Sequence, residues 1–295
     1  MTYEQFWQPL TSLYDAGEAK AIARMALDVA FGMSMADILC GKVTQLSADE
    51  SQKLQKIQDR LLKGEPVQYV LGSADFGGRV FHVDPGVLIP RPETAELCQW
   101  IVESEGSASV NGDDRRAVSI LDIGTGSGCI AITLALDIPH SRVSAWDISD
   151  EALRIARANA ESLGATVSFS RRDALQPSAP SMQAVCPGYD IIVSNPPYIY
   201  NKEKETMQQH VLGFEPHLAL FAPNDNPMLF YCAISNYAAT ALHPGGSLYF
   251  ELNPLLAGDV ASLLSSCGFL HVEIRPDQFG KQRFIKANNP QSPST

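Results

Sequence analysis

The sequence predicts an α/β fold, a largely parallel sheet covered by helices on both faces, preceded by a small all-helical module. Three observations carry the prediction. From about residue 118 onward, strand-like apolar runs alternate with helix-like stretches. Runs such as 118–123 and 190–194 hold consecutive apolar residues (Ile120-Leu121, Ile191-Ile192-Val193) rather than strict alternation, as strands buried on both faces do. The opening residues, in contrast, carry only helical periodicity.

Residues 1–65 read as the helical domain. Ile22, Met25, Ala26 and Val29 fall on one helical face, and Ser47 with Glu50 forms a capping box before a second stripe, Leu54, Ile57 and Leu61, which Gly64 stops. Residues 66–92 turn to Gly, Pro, Val and Phe, with alternation across Phe76-Gly77-Gly78-Arg79-Val80-Phe81, and read as a β-hairpin linker. Residues 93–287 read as the main domain. Within it, helices are expected at 93–105, 127–136, 149–163 (ended by Gly164) and 255–267, and an exposed loop at 106–116. Seven strands are expected at 118–123, 142–146, 166–170, 189–194, 246–252, 269–275 and 282–287, the last two pairing antiparallel at the sheet edge. Residues 288–295 read as a disordered tail.

Composition narrows the function. The 295 residues are 45% hydrophobic and 19% charged, enough apolar material for a sizeable core. No apolar run is long enough to span a bilayer, and the N-terminal residues lack the basic, apolar and cleavage regions of a signal peptide. The six cysteines are scattered, with no CxxC, as in a reduced cytoplasmic protein. Acidic residues outnumber basic ones 33 to 22, giving a net charge of −11. That balance disfavours nucleic acid as the direct substrate and favours a basic protein partner. The six histidines show no metal-ligand spacing, so no metal is expected. Neither a nucleophile elbow nor a P-loop lysine is present.

Asp122-Ile-Gly124-Thr125-Gly126-Ser127-Gly128 leaves the first strand of the main domain and opens a helix. Glycines there let the backbone turn sharply and approach a ligand. Alone, such a turn suits a nicotinamide or flavin as well as a methyl donor, or is simply structural. Asp147 ends the second strand, where a carboxylate accepts from ribose hydroxyls, although a helix cap beside Ser149 is the plainer alternative. Asp173, after the third strand, is a candidate for the adenine amino group.

The fourth strand decides between these cofactors. It ends in Asn195-Pro196-Pro197-Tyr198, beyond the carboxyl end of a parallel strand, where such sheets bind ligands. The Asn195 side chain and the stiffly aimed Pro196 carbonyl are two acceptors suited to the hydrogens of an NH₂ on a planar group. An amide or aromatic-amine nitrogen is a weak nucleophile, and gripping both hydrogens orients it and favours charge build-up during transfer to it. Tyr198 is placed to lie against the flat group. Together with the glycine turn, this indicates S-adenosylmethionine as cofactor and a planar nitrogen as acceptor.

The chain resembles the release-factor glutamine methyltransferases, the HemK/PrmC family, along most of its length. The resemblance rests on Phe76-Gly77-Gly78…Phe81, Leu88-Ile-Pro-Arg91-Pro-Glu93-Thr94, Asp122-Ile-Gly-Thr-Gly-Ser-Gly128 and Asn195-Pro-Pro-Tyr-Ile199, with looser agreement at Phe214-Glu215-Pro216 and Gly280-Lys-Gln-Arg283. Ala174, Asn224-Asp-Asn-Pro227 and Glu251-Leu-Asn253 depart from the family pattern. The resemblance implies a seven-stranded Rossmann-like S-adenosylmethionine-dependent methyltransferase domain and an N-terminal domain that helps dock the substrate. It implies methylation at N5 of the glutamine in the Gly-Gly-Gln motif of class I peptide-chain release factors. Expected cofactor contacts are Gly124, Thr125, Gly126, Ser127, Gly128, Asp147, Ile148, Asp173, Ala174 and Asn195. Expected substrate contacts are Asn195, Pro196, Pro197, Tyr198, Phe76, Arg91 and Glu215, with Asn195, Pro196 and Tyr198 catalytic. The alternatives are an N6-adenine methyltransferase acting on DNA or RNA and a protein that holds the cofactor and a release factor without turnover.

Overall fold

The computed structural model describes residues 1–105, 117–176, 188–199, 213–222 and 226–290. The loop expected at 106–116, residues 291–295 of the expected tail, and Asn224 and Asp225 lie outside the described residues. The chain divides into two compact units: Met1–Ser73 with Val83–Pro85 and Met207–Glu215, and Ala74–His82 with Gly86–Thr206 and Pro216–Thr295.

The first unit is helical: α1 (Tyr3–Trp7), α2 (Ala16–Phe31), α3 (Met35–Leu39), α4 (Ala48–Leu61) and α5 (Val67–Leu71). The capping box of α4 forms as expected: the Glu50 amide donates to Ser47 Oγ, and the Ser47 amide donates to Glu50 Oε2. Leu54, Ile57 and Leu61 are buried on one stripe. Gln58 shares that stripe without penalty, because its Nε2 donates to the Gln5 and Phe6 carbonyls, both at 2.8 Å. The face expected on α2 is corrected. Ala19, Ala23, Ala26 and Leu27 are buried, whereas Met25 and Val29 are exposed. The helix packs through its small residues, which the larger side chains obscure in the sequence. The linker expected from residue 66 also begins differently, as a short helix whose Val67 and Val70 join the first unit's core.

A hairpin follows, β1 (Ser73–Phe76) and β2 (Arg79–His82), which from Ala74 onward belongs to the second unit, and then α6 (Pro92–Glu105). Strands and helices then alternate: β3 (Val118–Ile123), α7 (Cys129–Asp137), β4 (Ser141–Asp147), α8 (Asp150–Leu163), β5 (Val167–Arg171) and β6 (Tyr189–Ser194). After α9 (His217–Leu220) and α10 (Leu229–Ala241) come β7 (Leu242–Glu251), α11 (Ala257–Ser266), β8 (Leu270–Pro276) and β9 (Gln282–Asn288).

Seven strands form one sheet in the order β5-β4-β3-β6-β7-β9-β8, the first five parallel and the last two joined antiparallel. The two final strands pair as expected, but β9 lies inside and β8 forms the edge. Successive strand residues point to opposite faces. Ile120, Val143, Ile191 and Val193 therefore pack with α6, α7 and the hairpin's Phe76 and Phe81, while Leu121, Trp146, Ile192 and Phe250 pack with α10 and α11. Burial on both faces explains the consecutive apolar residues at the centres of these strands. The expected tail is corrected at its start. Asn288 pairs in β9, and Asn289 exchanges backbone hydrogen bonds with Gly245 and Gly246, so polar side chains hid a paired backbone.

The chain order runs outward from β3 in one direction and from β6 in the other, so the switch point of the sheet lies between these neighbours. Ligands of open α/β sheets bind beyond the carboxyl ends of the strands there. Among the described residues, no helix is long and apolar enough to cross a membrane.

Candidate active site

Two turns leave the adjacent ends of β3 and β6, which are tied together where the Ser194 hydroxyl donates to the Ile123 carbonyl at 2.6 Å.

The first turn, Gly124–Gly128, is shaped by its backbone. Gly124, Gly126 and Gly128 have φ of +78°, +54° and +84°, a region that costs a residue with a Cβ. The Gly124 and Thr125 amides donate to the Trp146 carbonyl on β4, and the Gly126 amide donates to Asp147 Oδ2 at 2.9 Å. Open space surrounds the Cβ positions of Gly124 and Gly126, whereas at Gly128 a Cβ would meet Ile132 Cδ1 at 2.9 Å and Ala156 at 3.1 Å. Two glycines thus leave room for a ligand, and the third lets α7 and α8 approach.

Beneath the turn, Asp122 is fully buried and accepts from the Thr125 hydroxyl at 2.6 Å, while its Oδ1 has no hydrogen-bond partner among the described residues. Burial pushes its carboxyl up to about 7, opposed by the Thr125 hydroxyl and the Ala131 amide and reinforced by the charge of Asp147. Ser127 is also buried, with its hydroxyl unpartnered among the described residues.

Asp147 faces the turn from the end of β4. Its other oxygen, Oδ1, accepts from the Ser149 amide at 2.9 Å. Burial raises its carboxyl, and the Ser149, Gly126 and Ile148 amides oppose the shift. The side chain that caps α8 is Ser149, which accepts from the Ala152 amide, so Asp147 is not required for that task. Ile148 beside it is 41% exposed. Open glycine backbone, a carboxylate with spare lone pairs and an exposed apolar side chain together fit the methionine end, ribose and base of S-adenosylmethionine. Asp173 accepts from the Leu175 amide at 2.8 Å in a tight local turn, and Ala174 packs on the second core.

The second turn, Asn195–Tyr198, is held by side chains from elsewhere. Asn195 Nδ2 donates to Thr94 Oγ1 at 3.2 Å, the Thr94 hydroxyl donates to Glu251 Oε2 at 2.6 Å, and the Tyr198 hydroxyl donates to Glu251 Oε1 at 3.1 Å. Thr94 lies in the first turn of α6, and Glu251 ends β7. Burial raises the Glu251 carboxyl, offset by Thr94, the Arg283 guanidinium and Tyr198. Tyr198 is raised well above the usual phenol range by burial and by Glu251. The Asn195 Oδ1 and the Pro196 carbonyl accept no hydrogen bond among the described residues. Pro197 is half-buried alongside.

The remaining expected contacts fare differently. Phe76 is corrected: it is 2% exposed and packs edge-on against Phe81 in the core, so its role is to seat the hairpin. Arg91 is half-buried just ahead of α6, where its carbonyl accepts the Thr94 amide. Glu215 is buried and grouped with the first unit, whereas both turns belong to the second. Sequence reasoning gave no role to Thr94, Glu251 or Arg283. The available signal was a carboxylate closing the apolar run Leu248-Tyr249-Phe250.

Comparison with known proteins gives the family. The family described as PrmC N-terminal domain matches residues 10–72, and the Methyltransferase small domain matches residues 111–215. A release factor glutamine methyltransferase of Bacteroides thetaiotaomicron is 46% identical over 95% of this chain and 96% of its own length. Proteins of the same name from Flavobacterium psychrophilum and Chlorobaculum tepidum are 37% and 40% identical, over 96% and 88% of this chain and 96% and 87% of their own lengths. Among solved structures, the hMettl16 catalytic domain in complex with MAT2A 3′UTR hairpin 6 shares the fold, with a TM-score of 0.54, 16% identity and 84% coverage of each chain. The chain belongs to the release factor glutamine methyltransferase family.

Proposed function

We propose that this protein transfers a methyl group from S-adenosylmethionine to the N5 amide nitrogen of the glutamine in the Gly-Gly-Gln motif of class I peptide-chain release factors. The observation that carries the chemistry is the pair of acceptors at the second turn, Asn195 Oδ1 and the Pro196 carbonyl, neither used within the described protein. The name shared by relatives that match along nearly the whole chain supports the substrate.

S-adenosylmethionine, when bound, supplies an electrophilic methyl group on a sulfonium. Gly124, Gly126 and Asp147 are the residues to hold it. Asn195 and Pro196 take one hydrogen each of the target NH₂, orient the nitrogen and stabilise positive charge as it develops there. Tyr198, its hydroxyl bonded to Glu251, is the residue to lie against the flat face of the target group.

A basic release-factor surface would meet an acidic protein, and a cytoplasmic setting goes with that substrate. Adenine N6 offers the same NH₂ geometry, and the net charge of −11 disfavours it. Transfer of labelled methyl to purified release factor, run against duplex and single-stranded DNA, tests the reading. Labelling of the glutamine alone supports it, labelled adenine overturns it, and factor binding without transfer favours the non-enzymatic alternative.

A further inference from the structure

Proton directions around Glu251 form a chain with one sensible solution. An ionised carboxylate only accepts hydrogen bonds. Both Glu251 oxygens are used that way, one by Thr94 and one by Tyr198, with the Arg283 guanidinium beside them. Thr94 has a single hydroxyl hydrogen, and at 2.6 Å it is committed to Glu251. What Thr94 has left to offer Asn195 is a lone pair. The group that answers it is the Asn195 NH₂, which turns the amide oxygen toward the substrate side. Asparagine is nearly symmetric in shape, and its two ends differ chiefly in whether they donate or accept, so the neighbouring network decides the flip.

We propose that Thr94, oriented by Glu251, is a positioning residue that fixes the Asn195 amide with its oxygen outward, and thereby makes the site select an amide nitrogen over a carboxylate. This rests on the reading of Asn195 as an acceptor for the target NH₂. With the oxygen outward, a glutamine NH₂ is satisfied, and a glutamate oxygen in its place faces an acceptor with no proton between them. With the amide reversed, that preference inverts. A site built on a lone asparagine would sample both orientations and discriminate poorly.

The experiment compares Thr94→Val and Thr94→Ser in the full-length protein. It uses purified release factor as substrate, and a factor carrying glutamate in place of the target glutamine as competitor. Valine keeps the volume of threonine and removes the hydroxyl. We expect kcat to fall about ten- to a hundredfold, S-adenosylmethionine affinity to stay within about twofold, and inhibition by the glutamate factor to strengthen about tenfold. Serine keeps the hydroxyl and should restore all three to within about threefold of wild type. If the valine variant does not fold, Thr94→Ala removes the same hydroxyl and is read in the same way. Unchanged discrimination in a folded hydroxyl-less variant overturns the proposal, as does a serine variant as impaired as valine, which would mark a packing role. Asn195→Ala separates this from the underlying reading. If that variant retains activity, the role of Asn195 falls; if it loses activity while Thr94→Val does not, only the role of Thr94 falls.

Discussion

The two turns at the switch point lie one strand apart, yet they are held by opposite means. The glycine turn is a backbone object, with three left-handed residues, amides bonded to the next strand, and its main side-chain support, Asp147, 21 residues away along the chain. The Asn195–Tyr198 turn is a side-chain object: its contact with Thr94 spans 101 residues, that with Glu251 spans 53, and the Thr94–Glu251 link spans 157. A turn that admits a common cofactor has only to leave space and present amides. A turn that must tell one planar group from another needs donors and acceptors of fixed polarity, and those come from several elements at once.

The largest effects should fall where each turn is most exposed to its own kind of damage. At the second turn, Asn195→Ala deletes an acceptor and leaves the proline backbone intact. We expect kcat to fall by roughly two to three orders of magnitude, by analogy with loss of one preorganised donor at an oxyanion, while the melting temperature stays close to wild type. Near wild-type kcat in a variant that binds S-adenosylmethionine would remove the asymmetry between the turns.

At the first turn the comparable injury is an added atom. Gly128→Ala combines left-handed strain with a Cβ pressed on Ile132 and Ala156, and should cost roughly 2–4 kcal/mol of stability. Gly126→Ala meets nothing within 4 Å and should cost only the strain, about 1–2 kcal/mol. Urea unfolding of both variants checks the order, and equal losses would mean that helix approach does not govern this turn.

Asp147→Ala probes the side chain that holds the Gly126 amide of the first turn. Loss of charge-assisted hydrogen bonds to the ribose is worth about 1.5–3 kcal/mol, so S-adenosylmethionine affinity should drop roughly ten- to a hundredfold by calorimetry. Unchanged affinity in a folded variant would reduce Asp147 to an anchor for the Gly126 and Ser149 amides.

The same local-versus-distant contrast explains what the sequence made legible. β3 and β6 were readable to the residue, because a strand buried on both faces shows consecutive apolar residues at its centre and a turn signal, Gly124 or Pro196, stands just beyond its end. The glycine turn was readable because its supports are near in the chain. Thr94 was visible only inside a motif, with no sign that it reaches Asn195, since that contact exists only after α6 docks against the sheet. The α2 face was misread for a different reason. Burial there is carried by Ala19, Ala23 and Ala26, and alanine is too small to stand out beside Met25 and Val29. Phe76 was assigned to substrate on resemblance, and the hairpin instead turns it into the core.

The smallest expected effect concerns the buried carboxyls under the two turns, Asp122 and Glu251. Glu251 has a hydroxyl donor on each oxygen and a guanidinium beside it, whereas Asp122 has one hydroxyl donor, the Ala131 amide nearby and the added charge of Asp147, with no cation beside it among the described residues. Asp122 is held at about 7 in the folded protein against an ordinary value of 3.8, so the folded state binds its proton more tightly than the unfolded chain does. Between those two values the folded state carries the extra proton, and stability from this group therefore falls as pH rises through that window and levels off above it. From pH 5.5 to 7.5 the decline should be about 1–2 kcal/mol. Asp122→Asn cannot ionise, yet its amide oxygen can still accept from the Thr125 hydroxyl, so the variant should lack this decline and be the more stable protein at pH 7.5. Urea unfolding of both proteins at pH 5.5, 6.5 and 7.5 isolates the effect, because every other titrating group is common to the two. Parallel stability curves would mean that Asp122 is as well satisfied as Glu251, and that the first turn rests on its side chains as firmly as the second.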